Sequence, residues 1–231
     1  MSGIKRGKPN ADEAADQKLW QLKWPKQPTN MILYNGCFNP VHNGHVRILE
    51  KAVEALQPVW CVVVSIAPDS SIQRKLQRQR RGEHEFASTE DRAKMFRLAL
   101  EEKRLGCPFL IDTSQQTYQD GASAMTSRWL QRIEEVAEYM KVPKPELWQL
   151  AGPDALPLLG SVLRNKNRIV CVVTRRPGIK DAEKFLASKN MQPFKDLVLF
   201  VDDTDWEHEC SSTQVQNTMA EGSLPDDVPR K

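Results

Sequence analysis

The sequence predicts an α/β fold: a doubly wound parallel sheet with helices on both faces. Three observations lead there. Short apolar, β-rich runs alternate with helix-like stretches from Met31 to about Ala220. Two of those runs, Cys61-Val62-Val63-Val64 and Val170-Cys171-Val172-Val173, are almost continuously apolar, as in strands covered on both faces. The 231 residues, 40% hydrophobic and 27% charged, are enough to bury a core without disulfides or metals.

Residues 1–29 are polar and charged, with Trp20 and Trp24 as the only large anchors. They read as a mobile leader whose end docks through those indoles. Residues 30–222 form the predicted domain, and 223–231 a short tail. Strands are expected at Met31–Tyr34, Trp60–Ile66, Phe109–Ile111, Leu147–Ala151, Arg168–Thr174 and Leu197–Val201, from their apolar and β-branched content. Helices are expected near 43–56, 89–104, 122–140, 154–163, 181–188 and 212–220. Val46, Leu49, Val53 and Leu56 carry helical spacing in the first of these. Ser88-Thr89-Glu90-Asp91 caps the second, ahead of Met95, Phe96, Leu98 and Leu100. No internal repeat is visible. In open parallel sheets ligands bind beyond the carboxyl ends of the strands, so function is expected in the strand-to-helix loops.

Composition excludes several classes. Lys and Arg total 33 against 30 acidic residues, a formal charge of +3, so a polymer of nucleic acid is not the expected partner. No apolar run approaches the ~20 residues of a membrane span, and no signal-peptide core is present. Five cysteines (37, 61, 107, 171 and 210) at wide spacings contain no CxxC pair. Reduced thiols in a cytoplasmic or nuclear compartment fit best, with Cys61 and Cys171 as small buried hydrophobes. No protein-held metal is expected.

The first strand-to-helix loop carries the chemistry: Asn35-Gly36-Cys37-Phe38-Asn39-Pro40-Val41-His42-Asn43-Gly44-His45. Gly36 permits a tight exit and close approach of backbone amides to an anion. Asn39-Pro40 stiffens the next turn. A helix opening near Asn43 turns its unpaired amides toward the loop, and His42 and His45, three apart, share one face of its first turn. Two imidazole donors at a helix N-terminus make a phosphate site. The alternative is two surface histidines at a helix start.

GCFNPVHNGH resembles the signature of the HxGH nucleotidyltransferase superfamily, and with it a Rossmann-like fold. Members transfer a nucleotidyl group from ATP or CTP to a phosphorylated acceptor, with the histidines on the triphosphate. One departure is Cys37, where Ser or Thr is usual; a backbone contact there survives the change. Ala151-Gly152-Pro153-Asp154 resembles the G-x-D in which the aspartate holds the ATP ribose, and a turn with an N-cap is the competing reading. Val173-Thr174-Arg175-Arg176-Pro177-Gly178 resembles V-x-T-R-P-G, whose arginine meets phosphate or is solvated. Cys210-Ser211-Ser212-Thr213-Gln214-Val215-Gln216 resembles ISSTxIR, the second phosphate signature, with Gln216 in place of the arginine.

With these motifs in this order, most of residues 31–220 resembles the nicotinamide and nicotinate mononucleotide adenylyltransferases. By that resemblance ATP would be held by Gly36, Cys37, Phe38, His42, His45, Arg74, Lys75, Gly152, Asp154, Ser211, Ser212 and Thr213. His42, His45 and Lys75 would carry catalysis. Lys75 and Arg74 belong to a basic stretch, Arg74–Arg81, read as a loop after the second strand, either phosphate-binding or solvated. The mononucleotide would meet Asn35, Thr126, Trp129, Arg175 and Arg176. Trp129 either stacks on the pyridine ring or belongs to the core. His84 and His208 have no motif context. Mg²⁺ would arrive with ATP, and a homo-oligomer is possible as in relatives. Two rival readings remain at this point: another acceptor, as in pantetheine-phosphate or cytidylyl transfer, and an ATP-binding regulator or weak ATPase with little transfer, motivated by Gln216.

Overall fold

In a computed structural model, the structure describes residues 14–78, 86–114, 121–173, 176–204 and 215. Six strands build one all-parallel sheet: β1 (Asn30–Gly36), β2 (Val59–Ile66), β3 (Phe109–Asp112), β4 (Glu146–Ala151), β5 (Arg168–Val173) and β6 (Val198–Asp202). Their order is β3-β2-β1-β4-β5-β6, so the winding reverses between β1 and β4. The parallel sheet is the one the alternation of runs predicts, the fold is Rossmann-like as the resemblance implies, and its crevice lies at that reversal.

Alternating strand residues feed opposite cores. Ile32 and Tyr34 of β1, with Val62 and Val64 of β2, pack under α2 (Asn43–Ala55) and α4 (Thr89–Lys103). Met31 and Leu33, with Cys61 and Val63, pack on the other face with Met125, Trp129 and Ile133 of α5 (Gly121–Met140). At the far end, Ile169, Cys171 and Val173 of β5 pack with α6 (Gly160–Arg164) and α7 (Arg176–Ala187). Cys61 and Cys171 are fully buried, and burial raises both thiol pKa values.

The structure departs from the sequence expectation at four helices. The polar N-terminal region contains α1 (Ala14–Gln21), which buries Leu19. Trp24, just after it, lies with its ring centroid 4.2 Å from that of Trp60. The basic stretch after β2 is a helix, α3 (Asp69–Arg78), because Ile72 and Leu76, four apart, bury one narrow face. The helix expected at 154–163 is a 3₁₀ turn over Leu156–Leu159, with Pro157 in its first turn, followed by the short α6. The helix expected at 181–188 begins earlier, at Arg176, with Pro177 in its first turn. Of the helix expected at 212–220 only Val215 is described; it is helical and buried.

Candidate active site

The loop after β1 is shaped by Phe38. Its backbone is left-handed, φ 48°, a conformation that bulky residues rarely adopt. The ring folds back over the strand end, where a Cβ on Gly36 would lie 2.8 Å from two ring carbons. Gly36 is therefore required by the packing of its own loop. The Phe38 ring sits edge-on to Tyr34, Phe96 and His45, with centroids 5.0, 4.7 and 5.0 Å away. Only its backbone remains available to a ligand. Asn39 Oδ1 accepts the Ala87 N–H at 3.0 Å, which fastens the turn to the start of α4.

His42 is the N-cap of α2, in extended conformation. Its backbone N–H donates to His45 Nδ1 at 3.3 Å. A nitrogen that accepts carries no proton, so the neutral His45 ring holds its hydrogen on Nε2. The two imidazoles stack at 3.7 Å with planes 28° apart. Burial lowers the His42 pKa to about 4. His45 keeps an accessible edge, yet burial, then His42, then Lys75 hold it well below its usual value. Both rings are neutral near pH 7. His42 Nδ1 is buried and faces the His45 backbone N–H in the reciprocal cap of α2, but makes no hydrogen bond of good geometry, the His45 N–H turning to His42 O at 2.9 Å. A buried orphan beside an N–H donor at a helix start fits an oxyanion ligand.

Lys75 lies on α3, near enough for its charge to act on His45. Arg74, exposed, instead turns its Nε back to Ser70 O at 3.2 Å. Asp154 is exposed after β4, and its charge helps to raise the Tyr34 pKa, second to burial. Gly152 precedes it, buried, at the end of β4. The exits of β4 and β5 touch: a Cβ on Gly178 would lie 2.8 Å from Pro153 Cγ. Arg176 begins α7, its side chain undescribed, while Arg175, Ser211, Ser212, Thr213, Gln216, His84 and His208 lie outside the described residues.

For the expected acceptor side, the structure corrects one role. Trp129 is 2% exposed and packs in the core with Met31, Leu33 and Ile133. No ring face is left for a pyridine, because the helical spacing of α5 points position 129 at the sheet. Thr126 is buried as well, and its hydroxyl donates to Gln149 Oε1 at 3.3 Å. Gln149 Nε2 in turn donates to Asn35 Oδ1. Nearby, the Ser65 hydroxyl donates to Asp112 Oδ2 at 3.0 Å, and the Ser114 N–H to Asp112 Oδ1 at 3.0 Å. A buried polar belt thus lines the strand ends on the α5 side.

Two residues that motif reasoning missed hold the loops together. Arg92 of α4 is 0% exposed. Its Nη1 donates to Cys37 O at 2.7 Å and Ala67 O at 2.8 Å, joining the exits of β1 and β2. Its Nη2 reaches Asp69 Oδ1 at 2.7 Å and Thr89 Oγ1 at 2.9 Å, and Nε reaches Ala87 O at 2.9 Å. One guanidinium therefore fixes the histidine loop relative to the helix carrying Lys75. Arg47 of α2 grips Asp203, just beyond β6, in a fork of two 2.7 Å bonds. The signal for Arg92 was an arginine inside an apolar helical face.

This geometry, a neutral imidazole pair, loop amides and a nearby lysine at the carboxyl ends of parallel strands, is suited to binding phosphate. The sequence profile described as cytidylyltransferase-like matches residues 33–218. The chain belongs to this family, within the HxGH nucleotidyltransferase superfamily. No curated protein matches it. Among solved structures, Plasmodium falciparum nicotinic acid mononucleotide adenylyltransferase complexed with APC is similar at TM-score 0.51 and 14% identity, covering 81% of this chain and 82% of that one. NadR in complex with NAD and AMP-PNP aligns at TM-score 0.36 and 16% identity, over 84% of this chain and 43% of its own. Among the described residues no group of three or more His, Cys, Asp or Glu is placed to hold a metal, and no helix is long and apolar enough to cross a membrane.

Proposed function

We propose that this nucleotidyltransferase moves AMP from ATP to nicotinamide or nicotinate mononucleotide, giving the dinucleotide and pyrophosphate. The observation that carries this reading is the stacked His42–His45 pair, with an orphaned buried nitrogen, at the start of α2. The triphosphate would run from the Gly36–Phe38 backbone across His42 and His45 toward Lys75, with Ser211–Thr213 supplying further donors. ATP would arrive as its Mg²⁺ complex, since hard oxygen ligands suit that ion.

An oxygen of the mononucleotide 5′-phosphate attacks the α-phosphorus in line. The new P–O bond forms as the α–β bridging bond breaks, and pyrophosphate leaves with the electron pair. The attacking phosphate is already ionised at neutral pH, so no general base is needed. Positioning and charge neutralisation supply the rate. The His45 Nε2–H and the Lys75 ammonium are the donors whose hydrogen bonds would strengthen as charge gathers on the leaving pyrophosphate.

Purified protein with ATP, Mg²⁺ and each mononucleotide in parallel should yield dinucleotide and pyrophosphate. Failure with both acceptors sinks the reading. A second reading, an ATP-binding protein with little transfer, is favoured by the burial of Trp129, which removes an aromatic platform for the acceptor. Calorimetric ATP binding together with no transfer to any acceptor would support it.

A further inference from the structure

Gln149 is a polar residue where a strand between two neighbours calls for an apolar one. It is 0% exposed, beside Leu33 in the β1–β4 register. Burying a primary amide is unfavourable unless its donors and acceptor are paired, and here they are. Nε2 lies 3.0 Å from Leu33 O and 3.2 Å from Leu150 O. Both are main-chain carbonyls, which only accept, so the nitrogen end of the amide is fixed on that side. Oε1 takes the Thr126 hydroxyl.

The consequence passes to Asn35. The atom that meets Gln149 Nε2 must be an acceptor, hence Oδ1. Asn35 Nδ2 is then the remaining polar end of that side chain, with no partner among the described residues. Asn35 is only partly buried, one residue before Gly36, at the carboxyl end of β1 where the sheet reverses. Two backbone carbonyls thus set the polarity of an amide at the mouth of the crevice.

We propose that Gln149 is a positioning residue that locks the Asn35 amide with its Nδ2 donor toward the acceptor mononucleotide, so that Asn35 selects an oxygen acceptor on that substrate. The inference rests on the transferase reading above. A site built to donate discriminates strongly against a group that cannot accept, because its own donor is left unpaired.

The test is steady-state kinetics for both substrates on the full chain, with side-chain amide NMR alongside. Asn35→Asp keeps the shape and still accepts from Gln149, but turns an oxygen toward the substrate. It should raise the acceptor KM about tenfold or more while the ATP KM moves less than about twofold. Gln149→Met frees the Asn35 amide to turn, and the acceptor KM should rise about threefold. Adding Gln149→Met to Asn35→Asp should raise the acceptor KM no further, since a carboxylate has no orientation to lock. A purely structural role would instead lower Tm and move both KM values together, which overturns the proposal. So would an acceptor KM unchanged in Gln149→Met beside a raised one in Asn35→Asp. In the unsubstituted protein, titrating either mononucleotide should shift the Asn35 Nδ2 proton resonances. A shift without dinucleotide formation would retire the transferase reading and leave the locked amide standing. Dinucleotide formation with no shift would do the reverse.

Discussion

The two halves of the sheet hold their loops by different means. On the β1–β3 side, the exits of β1 and β2 and the starts of α3 and α4 converge on one fully buried guanidinium, Arg92. On the β4–β6 side, the β4 and β5 exits touch through Gly178 and Pro153, and the end of β6 is gripped by Arg47, whose side chain is 33% exposed. The difference is one of preorganisation. A buried cation with every donor used permits one arrangement, whereas a part-exposed ion pair competes with water. The rigid half is the one that carries His42, His45 and Lys75, where charge must be met without reorganisation.

Breaking the rigid half should cost most. Arg92→Met leaves Cys37 O and Ala67 O without this donor, while Asp69, 40% exposed, can turn to water, and should lower unfolding free energy by about 2–4 kcal/mol. Urea denaturation would measure it, and a loss below about 1 kcal/mol would mean that the guanidinium does not tie the loops. Next, His45→Ala should reduce turnover about 100-fold or more, with a much smaller change in stability, as for loss of a transition-state donor. Equal activity would remove His45 from the mechanism.

Acid should sharpen the same contrast. His42 titrates near 4 in the folded chain, against about 6.5 when unfolded. The unfolded state therefore binds the extra proton first, and stability falls as pH drops from about 6.5 toward 4, by roughly 3 kcal/mol at most for this group. His42→Gln should flatten that part of the stability–pH curve; an unchanged slope would contradict a neutral buried ring. The smallest effect belongs to the looser half. Asp203→Asn should cost about 1 kcal/mol and lose part of that difference in high salt. A loss as large as that of Arg92→Met would erase the distinction between the halves.

Much of this was legible in the sequence, and what was not has physical reasons. All six strands are readable because each is a short apolar run bounded by polar turns. The histidine loop is readable because its parts are local. Arg92 was not, since its role depends on carbonyls 25 and 55 residues away. Helix α3 was hidden by its charges: only Ile72 and Leu76 carry its buried face. Trp129 was open to two readings, and its helical phase places it in the core. Gln149 left a faint signal, one amide inside the run Leu147–Ala151, whose meaning needed the register with Leu33.

The central claim is transfer of the adenylyl group, and the fate of labelled phosphorus tests it most directly. ATP labelled at the α position, supplied with Mg²⁺ and either mononucleotide, should place its label in the dinucleotide, while a γ label should emerge in pyrophosphate. An α label left in ADP, with the γ label released as orthophosphate, would mean simple hydrolysis and contradict the account.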